Sequence, residues 1–145
     1  MTRSEKLKPV VKHVDKREQA ALKAVAFSQQ QLQQQQNRLQ QLIAYKEEYA
    51  SQQTSGQITF TVVQLQENNR FYTQLNDTVI QQEQVVAMAQ REVEIKREKW
   101  KLTRSRSDAM HKVVDRIQAG ELKQADRVEQ SLMDEVALRI SLKST

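Results

Sequence analysis

Two histidines, His13 and His111, are the side chains of this sequence best suited to bind a metal or carry a proton, and each has an aspartate close by, Asp15 and Asp115. Imidazole beside a carboxylate is the ordinary pairing of metal sites and of acid–base catalysis. The two pairs act together only if the fold brings residue 13 beside residue 111, and a pair of surface histidines is expected by chance in a chain of 145 residues. Cysteine is absent, which removes thiolate ligands, thiol nucleophiles and disulfides and fits a reducing compartment. Glycine occurs only at Gly56 and Gly120, so no glycine loop cradles a phosphate. A chain of this kind also offers no concave, water-excluding pocket. The expectation is a protein with no catalytic residue, no metal and no cofactor, and so not an enzyme.

The elements that would carry these residues follow from an apolar repeat with alternating spacings of three and four. In the first half it runs through Val11, Val14, Glu18, Ala21, Val25, Ser28, Leu32, Gln35, Leu39, Leu42, Lys46 and Tyr49. In the second half it picks out Tyr72, Leu75, Val79, Gln82, Val86, Ala89, Val93, Lys96, Trp100, Thr103, Ser107, Met110, Val114 and Ile117. Sustained heptads of this sort make coiled coils. Aromatics are only 5% of the residues and proline occurs once, which suits long helices in an extended rod and not a compact globule. The fold expected is all-α: two long helices in an antiparallel coiled-coil hairpin with a C-terminal helical overhang.

Punctuation sets the boundaries. Proline is tolerated in the first turn of a helix, so Pro9 predicts a first helix over about 9–50. Ser51 to Gln57 collects turn-forming residues around Gly56, giving a turn over 51–58. The β-branched stretch from Ile58 to Val63 has a strand-like alternation, but a lone strand has no partner. Thr61 with Gln64 three residues on reads instead as a capping box, opening a second helix over about 60–141. Gly120 costs that helix about 1 kcal/mol without stopping it, and a slip of the repeat there marks a kink or stutter. The whole chain, 1–145, reads as one coiled-coil domain. The glutamine-rich run from Gln29 to Gln36 keeps the heptad register through Leu32, and is helix-forming for that reason.

The opening decapeptide, MTRSEKLKPV, holds no apolar stretch of leader length, and nowhere do about 18 apolar residues run together as a membrane span requires. A soluble, cytoplasmic chain without membrane insertion is expected. Centring the turn near Gly56 brings Tyr45 and Tyr49 close to Phe71, Tyr72 and Leu75, which gathers most of the aromatic rings in the third of the hairpin next to the turn. Tyr45 lies off the heptad series and should sit at the seam's edge, as part of an exposed patch. The first helix then covers the second only as far as Ser107 to Met110. Beyond that, Val113, Val114, Ile117, Leu122, Ala125, Val128, Leu132, Val136 and Ile140 form an apolar stripe that needs a partner, another protein or a second copy.

The net charge of +5 is uneven. Lys12, Lys16 and Arg17 belong to one basic stretch, and Lys99, Lys101, Arg104 and Arg106 to another; the hairpin sets the two side by side at its open end. A protein surface of negative charge accounts for this base. Nucleic acid is not expected, because the basic residues alternate with acids, no groove-reading motif is present, and only Trp100 offers a stacking ring among them.

Several motifs resemble those of the flagellar export protein FliJ family. They are Leu39-Gln-Gln-Leu42-Ile43-Ala-Tyr45-Lys-Glu-Glu48-Tyr49 before the turn, Phe71-Tyr-Thr-Gln-Leu75 after it, Trp100 followed by basic residues, and the closing Met133-Asp134-Glu135-Val136-Ala137. The resemblance spans essentially the whole chain. It implies a non-catalytic cytoplasmic stalk, similar to the γ subunit of rotary ATPases, peripherally associated with the inner-membrane flagellar basal body. Its implied partners are the export ATPase hexamer (FliI-like), the cytoplasmic domain of the export gate (FlhA-like) and export chaperones. Gate binding carries over onto Leu42, Tyr45, Tyr49, Phe71 and Leu75. Arg38, Thr78 and Gln82 depart from the glutamine, alanine and histidine familiar at those positions, at the edge of the gate site. ATPase binding at the open end would use Lys12, Lys16, Arg17, Lys99, Lys101, Arg104, Arg106, Ile117, Val128 and Leu132. The competing readings are the equivalent stalk of a virulence type III secretion system and a homo-oligomeric structural coiled coil.

Overall fold

The computed structural model describes residues 2–54 and 60–144. Two helices account for nearly all of them, α1 (Arg3–Thr54, 52 residues) and α2 (Val62–Lys143, 82 residues), and no strand occurs among the described residues. The chain is an all-α hairpin of two long packed helices. Both helices open on the same device. The Thr61 hydroxyl accepts the Gln64 N–H at 3.2 Å while the Gln64 side-chain oxygen accepts the Thr61 N–H at 3.0 Å, the expected capping box. Thr2 and Glu5 repeat it more loosely, with both bonds at 3.4 Å.

That second box explains why α1 starts at Arg3, six residues before Pro9, where sequence punctuation put the start. Pro9 sits inside the helix, and because it has no N–H the Glu5 carbonyl lacks its usual partner four residues on. The N-terminal cap outranked the proline as a boundary signal. At the other end α1 continues past Ala50 to Thr54. The remainder of the predicted turn, Gly56 included, lies outside the described residues. Phe60 and Thr61 precede α2 without strand structure, and α2 runs through Gly120 as continuous α-helix.

The residues pack as two compact units, one of Met1–Ala20 with Lys101–Thr145 and one of Ala21–Trp100. In both, every position of the heptad series is buried or half-buried. The Ala21–Trp100 unit holds all the buried apolar side chains among the described residues: Val25, Leu75, Val79, Val86 and Val93. Each contributes roughly 1.5–3 kcal/mol by leaving water. One layer of this seam is polar. Gln82 is buried and its amide nitrogen donates to both the backbone carbonyl (3.0 Å) and the side-chain oxygen (2.8 Å) of Gln35. Flanked in sequence by Val79 and Val86 at the same seam, this layer favours one register, because any slip leaves a buried amide unpaired.

The other unit is built differently. Its buried residues are two serines, Ser4 and Ser107, and both bond across the helix pair. Ser4 donates its N–H to Oε1 of Glu121 at 3.0 Å and its hydroxyl to Oε2 at 2.6 Å. Ser107 donates its hydroxyl to Asp15 Oδ1 at 2.7 Å, and the same oxygen lies 2.9 Å from His111 Nε2, whose N–H it accepts. Leu7, Val11, Val14, Met110, Val114 and Ile117 are half-buried around these contacts. The pairing of Ser4 with Glu121 carries α1 about three turns further along α2 than a turn centred on Gly56 would allow. The overhang therefore starts at Leu122, and every residue from there to Ser144 is exposed.

Candidate functional site

In the Ala21–Trp100 unit three aromatic residues, Tyr45, Tyr49 and Phe71, form one cluster. Tyr45 meets Phe71 edge-on, with centroids 6.4 Å apart and planes at 80°, and Tyr49 packs against the same ring at 4.9 Å and 58°. Edge-to-face contact places the positive rim of one ring over the negative face of the other. The Tyr49 hydroxyl donates to Asn68 Oδ1 at 3.1 Å, and Lys46 donates to Asn76 Oδ1 at 2.7 Å with its ammonium 5.6 Å above the Tyr72 ring. These polar ties hold the rings in place on the seam's edge.

Exposure divides the set that the family resemblance assigns to the export gate. Tyr45 is 50% exposed and Phe71 39%, whereas Leu42 and Tyr49 are half-buried and Leu75 is only 7% exposed. The exposed members of the set are thus Tyr45 and Phe71, whereas Leu75 is buried at the seam. Arg38 and Thr78 are exposed, while Gln82 is sealed in the polar layer. Sequence reasoning missed a second feature here. Phe27 stands 63% exposed beside a groove of about 350 Å³ lined by Ala24, Ser28, Gln31, Ala89, Glu92 and Lys96. The small seam residues Ala24, Ser28 and Ala89 were its only sequence signal.

In the unit of Met1–Ala20 and Lys101–Thr145, Lys12 and Lys16 are exposed and line an open groove of about 420 Å³ with Lys8, Val11, Asp15, Gln19 and Val114. Arg17 and Arg106, from different helices, share a depression of about 60 Å³ with His13, Val14 and Thr103. The fold thus brings basic residues of the two stretches together at this point. Lys101 and Arg104 are exposed on the same unit, and Lys99, also exposed, belongs to the other. Ile117 is half-buried in the seam, while Val128 and Leu132 are 52% and 57% exposed on the overhang. Leu132, Met133, Val136 and Ile140 line a shallow groove of about 340 Å³ there.

His111 bonds to Asp15 and His13 lines the depression beside Arg17. Among the described residues no three His, Asp or Glu side chains converge as a metal site would need. Two carboxylates are held below their ordinary range by hydrogen bonds. Asp15 is lowered by the Ser107 hydroxyl first and His111 second, and Glu121 by the hydroxyl and then the N–H of Ser4. Both are cross-helix contacts, and they tie the helices together with no reacting group nearby. One unit thus exposes aromatic rings, and the other exposes cations and an apolar stripe.

Among the described residues no helix is long and apolar enough to cross a membrane. A family model described as Flagellar FliJ protein matches residues 3–145. No match was found among curated proteins or among solved structures.

Proposed function

This chain belongs to the flagellar FliJ family and is a component of flagellar type III protein export, and from that premise we propose that it couples the export ATPase ring to the export gate without catalysing a reaction itself. One observation carries the proposal: the molecule presents two recognition surfaces of different chemistry, one on each compact unit. The ring surface of Tyr45 and Phe71 is the gate-binding element, backed by Tyr49 and Leu42. Half-exposed aromatic rings fixed by packing are the usual anchors of a protein interface. The ATPase-binding element is the overhang with the basic residues of the same unit, Lys12, Lys16, Arg17, Lys101, Arg104 and Arg106. An uncovered apolar helix stripe inserts into a groove of matching shape, and the basic residues steer it toward negative charge. Lys99, which sequence reasoning groups with this set, belongs to the Ala21–Trp100 unit. Handling of export chaperones and peripheral association with the basal body follow from the same role.

The test is the turnover of the cognate export ATPase as this protein is added, with hexamer formation followed by light scattering. Stimulation together with ring assembly is the expected result. Lys12→Glu, Lys16→Glu and Arg17→Glu combined lower the stimulation and leave gate binding intact. No change in rate, with this chain assembling on itself instead, would overturn the coupling role in favour of a structural coiled coil.

A further inference from the structure

The two units close by different physics, and the contrast points to a moving part. Every buried apolar side chain among the described residues lies between Val25 and Val93, in the Ala21–Trp100 unit. Where α1 pairs with α2 in the other unit, the apolar residues are only half-buried, the buried ones are Ser4 and Ser107, and the closing contacts include hydrogen bonds to two carboxylates. A fully buried apolar side chain is worth on the order of tenfold or more in a closing equilibrium. Hydrogen bonds that water replaces on opening contribute less. Pro9 lies between the two polar contacts and removes one backbone bond from the helix that carries them.

We propose that residues 3–20 of α1 are a releasable strap, fastened to α2 at Ser4–Glu121 and at Asp15–Ser107–His111, which opens as one piece while the Ala21–Trp100 unit stays closed. Opening uncovers the flank of α2 that carries Met110, Val114 and Ile117, which the strap half-covers. These residues continue the apolar stripe of the overhang toward the N-terminus of α2, so release lengthens the stripe by about three turns of helix. The strap is thus a built-in competitor for that flank. Any helix that pairs with the lengthened stripe has to displace it, and any contact that tightens the two polar fastenings holds the flank shut. Such an element has the low local stability typical of segments that move in function.

Native-state amide hydrogen exchange on the full chain at neutral pH tests this. Amides of residues 6–20 are expected to exchange about a hundredfold faster than those of residues 25–42, at one shared rate with a step near Ala20. Asp15→Ala removes the fastening to Ser107 and His111 and should speed exchange of the strap about tenfold, leaving residues 25–42 unchanged. Asp15→Leu with Ser107→Val replaces that polar layer by an apolar one and should slow the strap by a similar factor. Equal protection in the two regions would overturn the proposal. So would a smooth gradient from Ala20 to Arg3 that ignores both variants, the signature of ordinary end fraying.

Discussion

Replacing Leu75 and Tyr45 separately by alanine distinguishes a seam residue from a docking residue within the set assigned to the export gate. Leu75 is 7% exposed, and large-to-small changes at buried leucines cost about 2–5 kcal/mol. A two-helix seam is open along its sides, so water fills part of the space left behind. The lower end, about 2–3 kcal/mol, therefore applies to Leu75→Ala. With a urea slope of about 1–2 kcal/mol per molar, the unfolding midpoint followed by circular dichroism falls by roughly 1–2 M. Tyr45 is half exposed and has one ring contact, to Phe71, worth about 0.5–1.5 kcal/mol. Tyr45→Ala accordingly moves the midpoint by about 0.5 M. Binding to the gate's cytoplasmic domain, measured calorimetrically at a temperature where both variants are fully helical, should show the reverse order. Leu75→Ala stays within about twofold of the parent, while Tyr45→Ala loses on the order of thirtyfold, as an anchoring ring does. A folded Leu75→Ala protein that cannot bind, or a Tyr45→Ala protein that binds normally, would refute the division of the cluster into seam and surface.

Three further outcomes are expected. Gly120→Ala should raise the thermal midpoint, because a Cβ at this exposed helical position meets nothing within 4 Å and the exchange is worth about 0.5–1 kcal/mol of helix stability; a fall in the midpoint on a calorimetric scan would show that α2 needs glycine there. Asp15 and Glu121 have lowered pKa values, so the folded chain binds their protons less readily than the unfolded chain. Their stabilisation is complete above the ordinary carboxylate range, about pH 4, and is lost as pH falls through and below it. Protection of residues 6–20, taken relative to the intrinsic exchange rate at each pH, should fall below about pH 4, and Glu121→Gln should weaken that dependence; an acid response unchanged in this variant would count against the Ser4 contact. Gln82→Leu should raise the midpoint by replacing a buried amide layer, while broadening the distances measured between spin labels on the two helices. A narrow, unshifted distance distribution would mean that the amide layer does not select the register.

Burial at the seam was legible because in a pair of helices it depends on little beyond the three–four spacing of side chains. Even Gln82, Ser28 and Ser107 appear as inward positions on that basis alone. Register was less legible, since it depends on the turn and on how far α1 extends. Thr2 and Glu5 carry the same capping pattern as Thr61 and Gln64, yet Pro9 drew attention away from them, and the length of the overhang was misjudged accordingly. The aromatic cluster was visible as a concentration of rings, but not the division of labour inside it. Whether Leu75 faces the seam or a partner depends on which side of Phe71 the tyrosines approach, and heptad spacing does not encode that.

The cross-helix bonds also set an order of assembly. Tyr49 and Asn68 are 19 residues apart in the chain, whereas Ser4 and Glu121 are 117 apart. Closing the longer loop costs about 1.6 kcal/mol more by chain entropy alone, unless the nearer contacts have already formed. Folding therefore runs as a zipper that starts beside the turn, where contacts are local and the apolar side chains are densest, and travels outward. The consequence for synthesis is an inversion of order. Residues 3–20 leave the ribosome before their partners and dock last, because Ser107 follows Asp15 by 92 residues and Glu121 follows Ser4 by 117. During that interval this segment has no partner of its own.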